Sequence, residues 1–300
     1  MIKPRALAPG SRLAAVSLSW GGPGIFPYRY EAGKRQLEEE FGVTLHPTPH
    51  ALRSAEWLHR NPKARAEDLL AAFEDDSIDG IISTIGGDDS IRTLPFMDAE
   101  LIRKTLFSTQ PIGLIQPNES GWTTEHLDWS DPKHQTRKRK LQPCTGWRFH
   151  QQAGSTTGHL FGGCLEVLEW LRGTPFWPAQ DQLAGAILFL ETSEEMPPPS
   201  ALTRFLRSLG AMGTLGSLAG ILVGRPAGAI DPARFAAYEE AVIDTLRIEH
   251  GLTDIPVVTN MDFGHTDPMF LLPYGIRARI DSTRKTVSLE ESGVVSGPTR

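Results

Sequence analysis

Two polar side chains stand where apolar runs give out. Leu183-Ala-Gly-Ala-Ile-Leu-Phe-Leu190 reads as a strand ending in Glu191. Ile255-Pro-Val-Val-Thr259 reads as a strand leading through Asn260-Met-Asp-Phe-Gly264 to His265. A carboxylate at the end of a buried strand is costly unless it is hydrogen-bonded. A histidine in a turn can serve as a general base near neutral pH. A Glu–His pair suits nucleophilic catalysis: the carboxylate orients the imidazole, which takes a proton from a serine hydroxyl. Each residue also has a plainer reading, Glu191 as a helix- or loop-capping acid and His265 as a loop histidine without a role. The nucleophile is harder to place. The elbow signature Gly-x-Ser-x-Gly does not occur. Ser90, after Gly86-Gly87-Asp88-Asp89, is the nearest substitute. Backbone N–H groups of Gly86, Gly87 and Asp88 in that turn could form an oxyanion hole. A tight βα turn without function fits the same glycine pair.

These residues need elements to hold them. Leu13–Ser19, Val43–Leu45 and Asp79–Ile85 read as short strands. Between them, Arg29–Phe41 has apolar residues at helical spacing and Gly42 as C-terminal cap, and a second helix starts at Pro62. Strand, helix, strand, helix, strand predicts a parallel sheet with crossover helices. Ligands collect beyond the carboxyl ends of such strands, where both Gly21–Gly24 and Gly86-Gly87 fall. The stretch from about Gln110 to Cys144 is rich in Pro, Asn, Ser, Thr and charge and reads as a linker. Beyond it, Leu165–Leu171 and Ser200–Leu209 read as helices, and Leu218–Val223 as a strand. Asp231 caps a helix expected to run to about Ile248, and Ile276–Ile280 with Thr286–Leu289 form a closing hairpin. The fold class expected is α/β in two domains. Residues 1–112 would form a parallel-sheet domain, 113–145 a linker and 146–300 a second α/β domain.

Composition narrows the function. A 300-residue chain with 40% hydrophobic and 22% charged residues is globular and long enough for about two domains. Its net charge of −6 gives no support to nucleic-acid binding, and Arg137-Lys138-Arg139-Lys140 reads as a solvated loop. Two cysteines, Cys144 and Cys164, make no disulfide framework. The eight histidines besides His265 are scattered without metal-ligand spacing, so neither metal nor cofactor is expected. Gly86-Gly87 lacks the GxGxxG and Walker spacings of a nucleotide loop. No apolar leader or run of ~18 apolar residues is present, so the expected location is the cytoplasm, away from the membrane.

Several segments, in order along the chain, resemble the LD-carboxypeptidase and microcin-immunity family of serine peptidases. They are Ile82-Ser-Thr-Ile-Gly-Gly-Asp-Asp-Ser90, Trp122-Thr-Thr-Glu-His-Leu-Asp-Trp129, Gly158-His-Leu-Phe-Gly-Gly-Cys-Leu165 and Gly173-Thr-Pro-Phe-Trp-Pro178. Ile187-Leu-Phe-Leu-Glu-Thr192, Ile221-Leu-Val-Gly-Arg225 and Asn260-Met-Asp-Phe-Gly-His-Thr-Asp-Pro-Met269 complete the set. The extended Gly86–Ser90 form resembles the microcin-immunity branch more than the muropeptide branch. The resemblance implies a flavodoxin- or glutamine-amidotransferase-like N-terminal domain, a C-terminal α/β domain and an active site between them. It maps Glu191 and His265 onto the acid and base of a Ser-Glu-His triad, and Gly86 and Gly87 onto the loop beside the oxyanion hole. It implies a small peptide, muropeptide or peptidyl-nucleotide substrate, and a homodimer.

The chain departs from the family at the nucleophile. The family elbow reads Gly-Tyr-Ser-Asp, and no such segment occurs here. Leu94–Ile102 joins Arg103–Ile112, which in the family follows the elbow. A strand, the elbow and its helix are therefore expected to be missing between about Leu101 and Lys104. No residue inherits the nucleophile role, and Ser90 is at most a surrogate. Two alternatives to an active hydrolase follow: a catalytically inactive relative that binds peptides or peptidyl-nucleotides, and a truncated product without function.

Overall fold

Leu13, Ala14, Ala15 and Val16 are consecutive and apolar, and all four are buried in β1 (Arg12–Val16). An unbroken apolar run suits a strand covered on both faces. β1 is the middle strand of a three-stranded parallel sheet, flanked by β2 (Thr44–Pro47) and β3 (Gly80–Ser83). The Pro27–Phe41 helix joins β1 to β2, starting on a proline and closing at Gly42, whose φ of 67° is left-handed. Tyr30, Gly33, Leu37 and Phe41 recur every three or four residues and form its buried face. The Pro62–Glu74 helix lies between β2 and β3. The parallel sheet with crossover helices is thus present as expected.

The structure, a computed structural model, describes residues 3–84, 103–125, 127–128, 130–135, 137–151 and 154–296. The chain divides into two units. The small sheet belongs to a unit of residues 4–97, 125–139 and 296–300; the other unit comprises 1–3, 98–124 and 140–295.

The second unit is built on an eight-stranded mixed sheet. Its strands are β4 (Gly113–Ile115), β5 (Arg148–His150), β6 (Ser155–Cys164), β7 (Ile187–Glu191), β8 (Gly220–Gly224), β9 (Val257–Met261), β10 (Arg277–Asp281) and β11 (Thr286–Leu289). They lie in the order β4-β11-β10-β6-β7-β8-β9-β5. β6, β7, β8 and β9 are parallel neighbours. β10, β11 and β4 extend one edge antiparallel, and β5 pairs antiparallel with β9 at the other. Every residue of β7, β8 and β9 is buried. Their side chains alternate between two cores, as the period of two requires. Leu188, Leu190, Ile221 and Val257 join Phe205, Leu206 and Leu209 of the Pro199–Ala211 helix and Val242 of the Phe235–Asp244 helix. Ile187, Phe189, Leu222 and Val258 join Phe263, Ile280 and Leu289 on the opposite face. Fully burying one such side chain contributes roughly 1.5–3 kcal/mol.

β6 approaches β7 closely enough that a Cβ on Gly162 would sit 1.8 Å from the Phe189 carbonyl oxygen. Such proximity accounts for the glycine without any catalytic role. The stretch read as a linker holds more structure than its composition indicated. β4 lies within it, and Trp122 and Thr123 form bridges to Gln142 and Asp267. The helix expected over Asp231–Ile248 opens as a tight turn at Pro232–Arg234, with Asp231 accepting from the Ala233 N–H at 2.9 Å. It is regular over Phe235–Asp244 and widens into a π turn at Thr245–Glu249. No helix among the described residues is long and apolar enough to cross a membrane.

Candidate active site

The end of β7 presents Glu191 at the carboxyl edge of the larger sheet, with 8% of its surface exposed. β9 ends at Met261, and the chain turns through Asp262 to Thr266. Phe263 anchors this turn by burying its ring against Phe189, at 6.0 Å and 90° between rings. Gly264 then passes over Glu191. Its φ is 96°, and a Cβ there would meet Glu191 Cβ at 2.6 Å and Oε2 at 2.7 Å. This close passage sets His265 Nδ1 2.6 Å from Glu191 Oε2. With Nδ1–H donated to the carboxylate, Nε2 is the nitrogen left to exchange a proton. Glu191 and His265, 74 residues apart in sequence, are thus in direct contact.

The surroundings of His265 favour its charged form. Burial alone would lower the His265 pKa. The hydrogen bond to Glu191 and the charges of Glu191, Glu194 and Glu166 outweigh burial and raise it from 6.5 to about 9. Glu194 stands 3.4 Å from His265 Nε2, on the ring edge opposite Glu191. From the sequence alone, Glu194 beside Glu195 reads as solvated charge. The loop after β7 instead turns it back over the imidazole.

Cys164 lies beside Glu191 in the β6–β7 register and donates to Glu166 Oε2 at 3.3 Å. Burial, reinforced by the nearby Glu191 charge, pushes its thiol far above the ordinary range. Cys164 is therefore a neutral thiol and a poor nucleophile. Ser193 gives its hydroxyl to Glu166 Oε1. Tyr274 packs on Phe189 at 5.3 Å, and burial together with the Glu191 charge raises its pKa.

A buried ionic network supports the turn. Arg225, just beyond β8, is 0% exposed and pairs with Asp262 Oδ1 at 2.9 Å. It also donates from Nε to Asn260 Oδ1 at 3.1 Å and lies 4.7 Å over the Trp122 ring. Asp262 Oδ2 accepts from Trp147 Nε1 at 2.7 Å and from the Asn118 N–H at 3.2 Å. Asn260, at a left-handed φ of 61°, donates to the Gly146 carbonyl at 2.6 Å. Arg225 and Asp262 were visible in the sequence as motif residues, but nothing there marked them as a buried pair. The one signal was a lone arginine directly after an unbroken apolar strand.

Gly86, Gly87, Asp88 and Ser90 lie outside the described residues. Among the described residues, no group of three or more His, Cys, Asp or Glu side chains is placed to hold a metal ion.

Residues 13–111 match the family model for the LD-carboxypeptidase N-terminal domain, and 157–280 match that for the C-terminal domain. The chain belongs to the LD-carboxypeptidase family, and so to a family of peptidase hydrolases. It is 28% identical over 328 residues to a Synechocystis protein named as a carboxypeptidase, covering 96% of this chain and 97% of that one. It is 25% identical over 281 residues to the Escherichia coli microcin C7 self-immunity protein MccF, covering 76% and 78%. The crystal structure of an MccF-like protein from Streptococcus pneumoniae in complex with AMP superposes with a TM-score of 0.75. That match has 26% identity and covers 94% of this chain and 99% of the other.

Proposed function

We propose that this chain is an amide hydrolase of the LD-carboxypeptidase and microcin-immunity type whose turnover is impaired at the nucleophile. The observation that carries this reading is the 2.6 Å contact between Glu191, which ends β7, and His265, which follows β9, the two strands that flank β8 in the matched C-terminal domain. Glu191 holds Nδ1–H and so fixes the tautomer and ring orientation. His265 Nε2 would accept the proton of a serine hydroxyl and return it to the departing amine. Backbone N–H groups of Gly86, Gly87 and Asp88 would receive the developing oxyanion. The substrate would be an amide in a small peptide, a muropeptide or a peptidyl-nucleotide. The AMP held by the Streptococcus pneumoniae relative supports the nucleotide member of this set.

The impairment rests on the expectation that the elbow is missing between about Leu101 and Lys104. The alignment to the Synechocystis protein spans 328 positions, more than the 300 residues of this chain, so gaps open within it. Ser90 is the surrogate nucleophile nearest in sequence to the glycine pair. A second reading, an inactive relative that keeps peptide or peptidyl-nucleotide binding, is favoured by the intact Glu191–His265 half-site.

The test is a mass-spectrometric hydrolysis assay on folded protein, with an LD-linked muropeptide and a microcin-type aminoacyl nucleotide. We expect no turnover of either. Cleavage lost in His265→Ala would overturn the impairment and leave the base pair standing. Cleavage unaffected by His265→Ala would refute the base assignment itself. In the absence of cleavage, heat of binding with a non-hydrolysable acyl-sulfamoyl nucleotide favours the binding relative.

A further inference from the structure

Both ring nitrogens of His265 face carboxylates. Nδ1 is 2.6 Å from Glu191 Oε2, and Nε2 is 3.4 Å from Glu194 Oε2. The two acids come from one strand end, three residues apart, and Glu194 keeps 38% of its side chain exposed. Glu191 sits on the nitrogen that a triad acid orients. Glu194 sits on the nitrogen that would take up the serine proton, so it occupies the approach a nucleophile needs. Glu166, the third acid near the ring, is held away by hydrogen bonds from Cys164 and Ser193.

We propose that Glu194 is a positioning residue that stands over Nε2 of His265, adds to the negative charge that Glu191 already sets against the ring, and must move aside before a serine hydroxyl can reach Nε2. This deepens the reading of Glu191–His265 as a base pair and rests on it. The Glu194 contact is an ion pair without a hydrogen bond, so the carboxylate can swing away without breaking one. A substrate that draws Glu194 aside, or a rise in pH, frees Nε2. Glu191 and Glu166 also raise the His265 pKa, while burial lowers it. The contribution of Glu194 must therefore be isolated from theirs.

The test reads the protonation midpoint of His265 directly, by NMR titration of its ring C–H signals in the full chain without ligand. His265→Ala assigns the signal. In Glu194→Gln the midpoint should fall by about one pH unit, the shift a unit charge at this distance causes when water screens it. Glu195→Gln, which removes the neighbouring charge in the same loop, is the control. Equal midpoints in Glu194→Gln and Glu195→Gln would overturn the proposal. Glu191→Gln separates the two ideas. A fall there, with none in Glu194→Gln, removes the role of Glu194 and leaves the base pair standing. No fall in either removes both.

Discussion

Arg225→Met tests whether the buried ionic network carries the turn that presents His265. Methionine replaces most of the aliphatic stem and removes the guanidinium, so the change isolates charge from packing. In the wild type, Arg225 and Asp262 are 0% and 1% exposed and lie 2.9 Å apart. Without Arg225, the Asp262 carboxylate keeps the Trp147 Nε1 and Asn118 N–H donors on Oδ2 but loses its partner on Oδ1. Breaking a buried pair by removing one member costs about 3–5 kcal/mol, because the remaining charge is left uncompensated. Asn260 Oδ1 also loses the Arg225 Nε donor, and Trp122 loses a cation held 4.7 Å away. These losses share one side chain and do not add, so about 4 kcal/mol is the expected total. In a unit of this size that lowers Tm by about 10 °C. Urea titration and calorimetry on Arg225→Met, Asp262→Asn and the double variant form the assay. The double variant removes the stranded charge, keeps an acceptor for Trp147, and should recover part of the loss. A cost below about 1 kcal/mol for Arg225→Met, or a double variant no more stable than the single, would refute the reasoning.

Two further outcomes follow from the site. Gly264→Ala should separate the pair it brings together, since the new Cβ would overlap Glu191 at 2.6 Å and strain a φ of 96°. Strain alone costs about 1–3 kcal/mol, and the downfield His265 Nδ1 proton resonance should vanish in a protein that still folds. The His265 pKa is raised in the folded state, from 6.5 to about 9. Its stabilising contribution is therefore complete below about pH 6.5 and is lost as pH rises through about 9. The urea midpoints of wild type and His265→Gln should differ most at pH 6 and converge by pH 10; a difference that grows with pH contradicts the assignment.

Glu191 and His265 stand out because one ends and the other soon follows a strongly apolar strand, and the ends of parallel strands converge on one edge. The same logic failed for residues whose importance arises through contact rather than pattern. β5 (Arg148–His150) is only three residues long, too short for its alternation to mark a strand, and it pairs antiparallel with β9. β4 is a three-residue strand whose pairing with β11 supplies what Gly113-Leu-Ile115 cannot supply locally. Arg225 reads as a polar residue after a strand, yet it is fully buried, with Asp262 and Asn260 accepting from its Nε and Nη2 donors. Glu194 read as solvent-facing because Glu194-Glu195 is a charged pair in a loop. Its position depends on the backbone path after Glu191, which no spacing reveals. Strand periodicity thus reports where side chains are delivered, whereas the charge state of the delivered histidine is set by which acids the loops return to it. An assignment of His265 from motif alone leaves open whether it rests as base or as imidazolium. In this chain Glu191 does most to raise the His265 pKa, and Glu194, a residue outside the triad pattern, adds to it.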